Sequence, residues 1–392
     1  MAAGAVVTGA SYRALAVVRS LGRQGVNVRV VRSDEHALAE ASRYARGRLT
    51  WPGEAESSRV EYLLELAERD GLRNWVLIPT HDEEAAFIAR HREPLAQRYR
   101  VTTPSWEILR AAYDKRYTHA LAARQGLDQP WTIFPDGEPA LAQAKGRFPV
   151  VIKPAYKACA NRLTVDKAWR ADDLHTLRRR YREASRLVDP GILMVQELVA
   201  GNGMGQLSYA ALCSEGNVLA SLAARRIRQY PMDFGRASTY VETIDDASLD
   251  RDAGRLLAAM RFTGMVEVEF KRDPSTGVNR LLDVNPRAWG WQSLGGRAGV
   301  DFPFLLWQLA TGAPVRPARA APGVHWVRLG TDLLAVAGEV TAGRLSVREY
   351  LRSLRRPLEF AVFARDDPLP SLIAPLLAAR LVAGRLLAGR PV

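Results

Sequence analysis

The 392 residues contain only two cysteines, Cys159 and Cys213, far apart and in unrelated contexts. They cannot make a disulfide framework, so a reducing compartment, the cytoplasm, is expected. Long apolar runs are missing as well. No stretch reaches the roughly 18 uninterrupted apolar residues that a membrane span needs, and residues 1–7 lack the basic segment and apolar run of a signal peptide. The six histidines form no metal-spaced cluster. There is no Gly-x-Ser-x-Gly elbow, no His-Glu-x-x-His and no Walker lysine loop. Acidic residues are in deficit, 42 against 55 basic, for a formal charge of +13. That excess favours anionic partners such as nucleotides, phosphorylated substrates, nucleic acid or an acidic membrane surface. The arginines are dispersed, and no zinc-finger spacing or aromatic-basic RNA motif occurs, which makes nucleic acid an unlikely partner. What is plentiful is apolar content, 47%, enough for two or three packed cores.

Residues 5–10 (Ala-Val-Val-Thr-Gly-Ala) read as a buried strand entering a tight turn, 12–24 as an amphipathic helix and 26–31 as a second strand. A helix over 59–68 and a strand over 75–79 continue this βαβ alternation, predicting a doubly wound parallel sheet over residues 1–105. The first turn offers Gly9 and then only the distant Gly22, so the Gly-x-Gly-x-x-Gly dinucleotide fingerprint is absent. His81-Asp82-Glu83-Glu84 follows the strand ending at Pro79, at the carboxyl end of that sheet. It suits either contact with a substrate or ordinary helix N-terminal acids.

Helices carrying Lys115 are expected over 106–124, then a strand, Phe148-Pro149-Val150-Val151-Ile152-Lys153-Pro154, that ends in a lysine. A basic helix over 171–185 and a strand over 192–199 follow. Further strands are expected over 207–213 and 218–228, then a helix over 250–260. On the strand bearing Arg225, Arg226 and Arg228, alternation aims the last two one way and Arg225 the other. Of these, Arg228 is the favoured cleft residue. Residues 369–390 are rich in leucine and alanine, interrupted by Pro370 and Pro375 and dotted with arginine. They suit a helix packed on the protein or one lying on a membrane surface.

The most informative segments are Val266-Glu267-Val268-Glu269-Phe270 and Leu282-Asp283-Val284-Asn285-Pro286-Arg287. Period-two alternation puts Glu267 and Glu269 on one face of a strand. The intervening Asp273-Pro274-Ser275-Thr276-Gly277 predicts a hairpin with a three-residue loop closed at Gly277. Glu269 then lies opposite Asp283, and Glu267 opposite Asn285. Oxygen ligands on a rigid hairpin suit Mg²⁺ held against phosphates, with Arg287 as a planar donor beside them. Taken alone, the same hairpin suits a solvated acidic edge.

Lys115, Lys153, the Gln196-Glu197 strand and the Glu269, Asp283, Asn285 cluster, in that order and ending in Asp-x-Asn-Pro-Arg, resemble the ATP-grasp superfamily over about residues 108–311. The resemblance implies an α/β and α+β chain. An N-terminal doubly wound parallel-sheet lobe (1–105) precedes a two-lobed ATP-grasp domain (106–315) that holds ATP between antiparallel sheets. The smaller lobe is 106–195, the larger 196–315, and a basic Arg/Ala/Leu-rich extension spans 316–392. By resemblance Lys115 and Lys153 contact phosphates, and Gln196, Glu197 and Val199 form the adenine hinge. Glu269, Asp283 and Asn285 would hold Mg²⁺ or Mn²⁺, with Arg287 near the transferred phosphoryl group or the substrate, beside the Arg228 that alternation favours for the cleft. The implied activity is ATP-dependent joining of a small carboxylate, such as an amino acid or peptide-like molecule, to an amine through an acyl phosphate. A cytoplasmic location, with peripheral membrane contact through the tail, is compatible with this. The rival is a non-catalytic nucleotide-binding or scaffolding protein at a membrane surface. Three departures stand out. Asp283 replaces the usual glutamate, and residues 155–162 contain no glycine, leaving Lys157, Asn161 and Arg162 to cover the phosphates. Gln206 stands in for the usual ribose-binding acid.

Overall fold

The computed structural model describes residues 3–32, 37–156, 161–201, 205–231 and 237–387, with side chains through residue 380. Three sheets organise the chain. The first is a five-stranded, all-parallel sheet, with the strand Ala5–Thr8 at its centre between Val28–Arg32 and Val76–Pro79. Sequence patterning anticipates these three, whereas Ala45–Thr50 and Arg100–Val101 complete the edges with too little apolar alternation to announce themselves. The connecting helix Tyr12–Arg23 buries Leu15, Val18 and Leu21.

A four-stranded antiparallel sheet of Thr132–Ile133, Leu193–Glu197, Val150–Pro154 and Trp169–Ala171 forms a small lobe with its own core, closed by the helix Leu174–Ala184. The third sheet has eight strands and does not stop near residue 315. His325–Val327 pairs with Ala237–Ile244, and Leu358–Phe360 pairs with His325–Val327, so the predicted extension supplies part of this sheet. One face packs on the helix Ala247–Met260, whose N-terminus is capped by the Asp246 carboxylate. The other face shares a continuous core with the N-terminal lobe, uniting Leu15, Val18, Leu222, Ala224, Trp289 and Trp326.

The strands Gly264–Arg272 and Asn279–Asn285 form the expected hairpin, with Glu269 opposite Asp283 and Glu267 opposite Asn285. The route to that register differs from expectation. Gly277 does adopt positive φ, but the loop is longer: the Asp273 carbonyl accepts from the Gly277 amide and the Asp273 amide donates to the Val278 carbonyl. Phe270 pairs with Leu281, and the extra residue Leu282 is a β-bulge. Leu281 points into the core. Strict alternation would send Asp283 after it, and the bulge turns Asp283 to the opposite face instead.

The carboxyl-terminal region is latched to the first lobe. Asp367, 1% exposed, accepts from Arg19 Nε (2.9 Å), Ser42 Oγ (2.7 Å) and the Arg43 amide (2.9 Å). Breaking one side of a buried ion pair typically costs about 3–5 kcal/mol. Asp367→Asn is therefore expected to lower the urea midpoint by an amount corresponding to about 3 kcal/mol or more, with far-UV circular dichroism unchanged before the transition. An unchanged midpoint would show that the latch is not a source of stability.

Candidate active site

The site lies where the small lobe, the large sheet and the N-terminal lobe meet, and short-range backbone order brings its lysines together. Lys153 ends its strand on the face opposite the small-lobe core. The Lys115 amide, at the start of the helix Lys115–Arg124, donates to the carbonyl of Ala155, two residues beyond Lys153. This ties helix start to strand end. Asp114 caps the helix by accepting from the Arg116 amide.

Lys115 Nζ reaches Asp283 Oδ1 at 2.9 Å. Burial opposes its charge, but Asp283 and the nearby carboxylates outweigh that and raise its pKa. Lys153 lacks so close a carboxylate. Burial, together with repulsion from Lys115, pushes it down to about 8.

Across the hairpin, the Asn285 amide nitrogen donates to Glu267 Oε2 (3.2 Å) and Glu269 Oε1 (3.1 Å). Glu269 also accepts from Gln206 Nε2 at 2.7 Å and faces Arg226 at 3.5 Å. Glu267 accepts from Trp291 Nε1 at 3.0 Å. Burial pushes both carboxyls up, yet Arg226, Lys167 and Arg287 hold Glu269 below the usual range. Glu267, buried and additionally repelled by Glu269, is pushed up to about 7. Arg287 spans the lobes, with Nε 3.0 Å from Asp82 Oδ1 and Nη2 donating to Asn285 Oδ1 at 3.0 Å. Asp82 is half-buried, which opposes its ionisation, but Arg287 and Arg13 keep its pKa low. The His81–Glu84 segment thus contributes Asp82 to the cleft.

Several expected residues converge here: Lys115, Lys153, Glu269, Asp283, Asn285 and Arg287. Gln196 lies on the same face of the small sheet as Lys153, but its side chain is turned inward, donating to Thr132 Oγ1 (3.0 Å) and lying 3.4 Å from His119 Nε2. Burial and Lys153 push His119 down to about 4. Glu197 faces Arg280 of the hairpin at 3.3 Å and so links the two lobes. Val199 is buried just beyond it.

Arg228 is not in the cleft, contrary to expectation. Arg226 pairs with Val241 and Arg228 with Tyr240, leaving Ile227 as a bulge that reverses the face of every residue after it. Arg228 instead donates to Asp332 at 2.8 and 2.9 Å on the far side of the sheet, and Arg226 occupies the site. Arg225 is exposed and paired with Glu242, as alternation anticipates. Gln206, expected beside a ribose, here donates its amide nitrogen to Glu269 and accepts from Arg226 at 2.9 Å on its oxygen. In the segment after Lys153, Lys157 lies outside the described residues, Asn161 caps the helix Arg162–Asp166, and Arg162 points to Glu183. Sequence reading missed Lys167, which adopts φ of 66° after that helix, and no local pattern announces it.

The two opposed carboxylates, Glu269 and Asp283, suit a hard divalent cation, and Asn285 would join them once its oxygen, here accepting from Arg287, turned toward them. No group of three or more His, Cys, Asp or Glu side chains that could hold a metal occurs among the described residues. A metal here would therefore need ligands beyond the carboxylates, as Mg²⁺ does when it keeps water and phosphate oxygens.

No family model and no curated protein matches the chain. Solved structures do. An L-amino acid ligase from Bacillus licheniformis superposes with TM-score 0.60 at 14% identity, over 80% of this chain and 77% of that one. A biotin carboxylase from Campylobacter jejuni gives 0.63 at 17%, over 82% and 74%. A carboxyaminoimidazole ribonucleotide synthase from Aspergillus clavatus, complexed with ATP, gives 0.60 at 16%, over 81% and 80%. The chain has the ATP-grasp fold.

The crowded carboxylates have a measurable signature. A free glutamate titrates near 4.5 and Glu267 at about 7, so between those values the native state keeps a proton that the unfolded chain has lost. Stability falls as pH rises through that window, by at most about 1.4 kcal/mol per unit, and levels off above it. Glu267→Gln is expected to flatten this dependence in metal-free buffer, so that variant minus wild-type stability grows from pH 5 to 7. A difference independent of pH would overturn the assignment of the buried proton to Glu267.

Proposed function

We propose that this protein is an ATP-dependent ligase that joins a carboxylate to an amine through an acyl phosphate. The observation that carries the reading is the convergence of Lys115, Lys153 and Arg287 on the Glu269, Asp283, Asn285 hairpin within one cleft between lobes. Lys115 and Lys153 would hold phosphate oxygens as point charges. The backbone near Val199, whose amide has no acceptor among the described residues, would receive the adenine edge, with Gln196 and Glu197 holding that segment in place. Glu269, Asp283 and the Asn285 oxygen would hold one or two Mg²⁺, or Mn²⁺. A divalent cation held there would supply positive charge to offset the charge that develops on the transferring group.

The substrate carboxylate attacks the γ-phosphorus, the bond to the β-phosphate oxygen breaks, and ADP leaves. An amine then attacks the acyl carbon, and phosphate departs with the electron pair of the C–O bond. Arg287 and Arg226 line this region, and their fixed guanidinium groups would orient the transferring phosphoryl group and the acyl oxygen. No side-chain nucleophile is needed. Support from the fold comes from neighbours whose names include an amino acid ligase and a synthase bound to ATP. Small amino acids or peptide-like molecules are the substrate class we favour. Glu269→Gln and Asn285→Ala are each expected to reduce Mg·ATP-dependent ADP release by 100-fold or more with an unchanged circular dichroism spectrum. Hydroxylamine should trap the acyl phosphate in the wild type. Nucleotide binding without ADP release for any acid–amine pair would sink the ligase reading.

A second reading concerns the carboxyl-terminal surface. Leu372 and Leu376 are 70% and 71% exposed, and Val347 and Leu351 are exposed beside Arg348, Arg352, Arg355 and Arg356. No helix among the described residues is long and apolar enough to cross a membrane. Apolar side chains interleaved with arginine suit the surface of an anionic bilayer. Full-length protein is expected to float with phosphatidylserine vesicles and not with phosphatidylcholine vesicles, and removal of residues 369–392 should weaken flotation. Equal recovery with both lipids, or with neither, would rule out this contact.

A further inference from the structure

Buried and half-buried arginines in this protein are, as a rule, matched to carboxylates: Arg19 to Asp367, Arg228 to Asp332, Arg287 to Asp82 and Arg226 to Glu269. Three half-buried arginines break the rule, and one of them, Arg59, still donates from Nε to the Gly53 carbonyl. The other two, Arg13, on the first turn of the helix Tyr12–Arg23, and Arg328, which precedes the helix Leu329–Thr341, have no ion pair and no side-chain hydrogen bond among the described residues. They flank one aromatic ring. The guanidinium carbon of Arg328 lies 4.2 Å from the Tyr12 ring centroid, and that of Arg13 lies 5.9 Å from it. Arg13 Nε is buried without a partner.

Their surroundings intensify the imbalance. Arg287 and Lys167 add positive potential at the Tyr12 phenol, which lies below its ordinary pKa although burial pushes the other way. The same Arg13 field acts on Asp82, whose carboxylate is already committed to Arg287. This locus therefore adjoins the Arg287 end of the cleft. The backbone leaves room for Tyr12 to point there, because a Cβ at residue 290 would stand 2.8 Å from its hydroxyl, and that residue is glycine. A stacked arginine keeps its N–H edge free for a ligand, and planar donors bind carboxylate or phosphate in bidentate fashion. Two half-buried guanidinium groups that have no carboxylate partner among the described residues are stabilised when an anion completes the site.

We infer that Arg13, Arg328 and the Tyr12 hydroxyl form a subsite for a second anionic group of the substrate, a carboxylate or a phosphate on the molecule whose carboxylate is activated. The inference rests on the ligase reading for the identity of the first group and extends it to the substrate class: a small acid with at least two negative charges. ATP does not account for this subsite, since its phosphates are assigned to Lys115, Lys153 and the hairpin metal. Arg328 also gives the region beyond residue 315 a place at the cleft. The strand His325–Val327 carries it there, and Trp326 lies 6.4 Å from the Tyr12 ring.

The test separates subsite from reaction by measuring binding directly. Thermal shift and calorimetry at constant ionic strength would compare acetate and propionate with succinate, aspartate and 3-phosphoglycerate, in the wild type, Arg328→Gln, Arg13→Gln and Tyr12→Phe. Arg328→Lys serves as the charge-retaining control, and circular dichroism checks folding. At least one dianion is expected to bind tenfold or more tightly than the monoanions. That preference should fall at least about tenfold in each arginine-to-glutamine variant and partly return in Arg328→Lys. Preference for 3-phosphoglycerate would identify the second group as phosphate, and preference for succinate or aspartate as carboxylate. No preference for dianions, or a preference that survives both arginine substitutions, overturns the subsite. ADP release is then scored with the same acids. Turnover of dianionic acids that is no better than that of monoanions and is unaffected by Arg328→Gln would leave the ligase standing and remove the subsite. Selective dianion binding without ADP release from any acid would keep the subsite and remove the ligase.

Discussion

Everything at the cleft depends on one face of the eight-stranded sheet carrying charge in a place where the opposite face carries hydrocarbon. Val266, Val268 and Phe270 point toward the helix Ala247–Met260, while Glu267 and Glu269 point toward the N-terminal lobe. Taking carboxylates out of water is costly unless each finds partners. Glu269 finds Gln206, Arg226 and Asn285; Asp283 finds Lys115. Glu267 finds Trp291, Asn285 and Ser208, none of them charged, and it is the one that resists ionisation. The cleft is thus pre-organised by interactions that a bound cation would partly replace. Lys115 and Asp283 hold each other at 2.9 Å, and on the proposed reading phosphate and metal would take one each. Such preformed electrostatics suit transfer chemistry, since little reorganisation is left for the reacting state.

Much of this was legible because period-two alternation is a robust signal wherever one face of a strand is buried. The pairing of Glu269 with Asp283 and of Glu267 with Asn285 follows from alternation and turn chemistry, and the central strands of the first lobe follow from short apolar runs. The bulges were not legible. Leu282 and Ile227 are ordinary strand residues in composition, yet each adds one residue to its strand and moves the following side chains to the other face. At Leu282 the correct register emerged from a shorter loop than the real one, because the longer loop and the bulge cancel. At Ile227 nothing cancels, so alternation sent Arg228 to the cleft together with Arg226, and only Arg226 belongs there. Side-chain direction in a strand is a matter of parity, and parity is lost with one inserted residue.

Arg228 then has to be explained where it is. It lies between the rings of Tyr240 and Tyr350, 4.1 and 5.2 Å from their centroids, and donates twice to the fully buried Asp332. Asp332 belongs to the first turn of the helix Leu329–Thr341, and Tyr350 to the helix Val347–Ser353. One misassigned arginine thereby fastens two helices from beyond residue 315 to the central sheet. The composition of that region, rich in arginine, alanine, proline and leucine, suggested an appendage. Sheet pairing through His325–Val327, the Arg228 anchor and the Asp367 latch on Arg19 make it a structural part of both large lobes.

This attachment bears on how the cleft is built. Arg328 sits at the junction between a strand fixed in the sheet and a helix fixed by Asp332, four residues later on that helix. Its backbone amide donates to the carbonyl of Thr239 at 2.9 Å, and the amide of Asp332 donates to the Arg328 carbonyl at 2.9 Å. A guanidinium on so constrained a backbone retains fewer alternative positions than one on a loop, and the ring of Tyr12 restricts it further. The entropy usually lost when an arginine is ordered against a ligand is therefore largely spent in folding. The same reasoning applies to Arg287, fixed by Asp82 from the first lobe and Asn285 from the hairpin. On the proposed reading, specificity at this cleft would be set by the packing of three separate stretches of chain, and a motif order, which is local to one stretch at a time, would leave the substrate side unread.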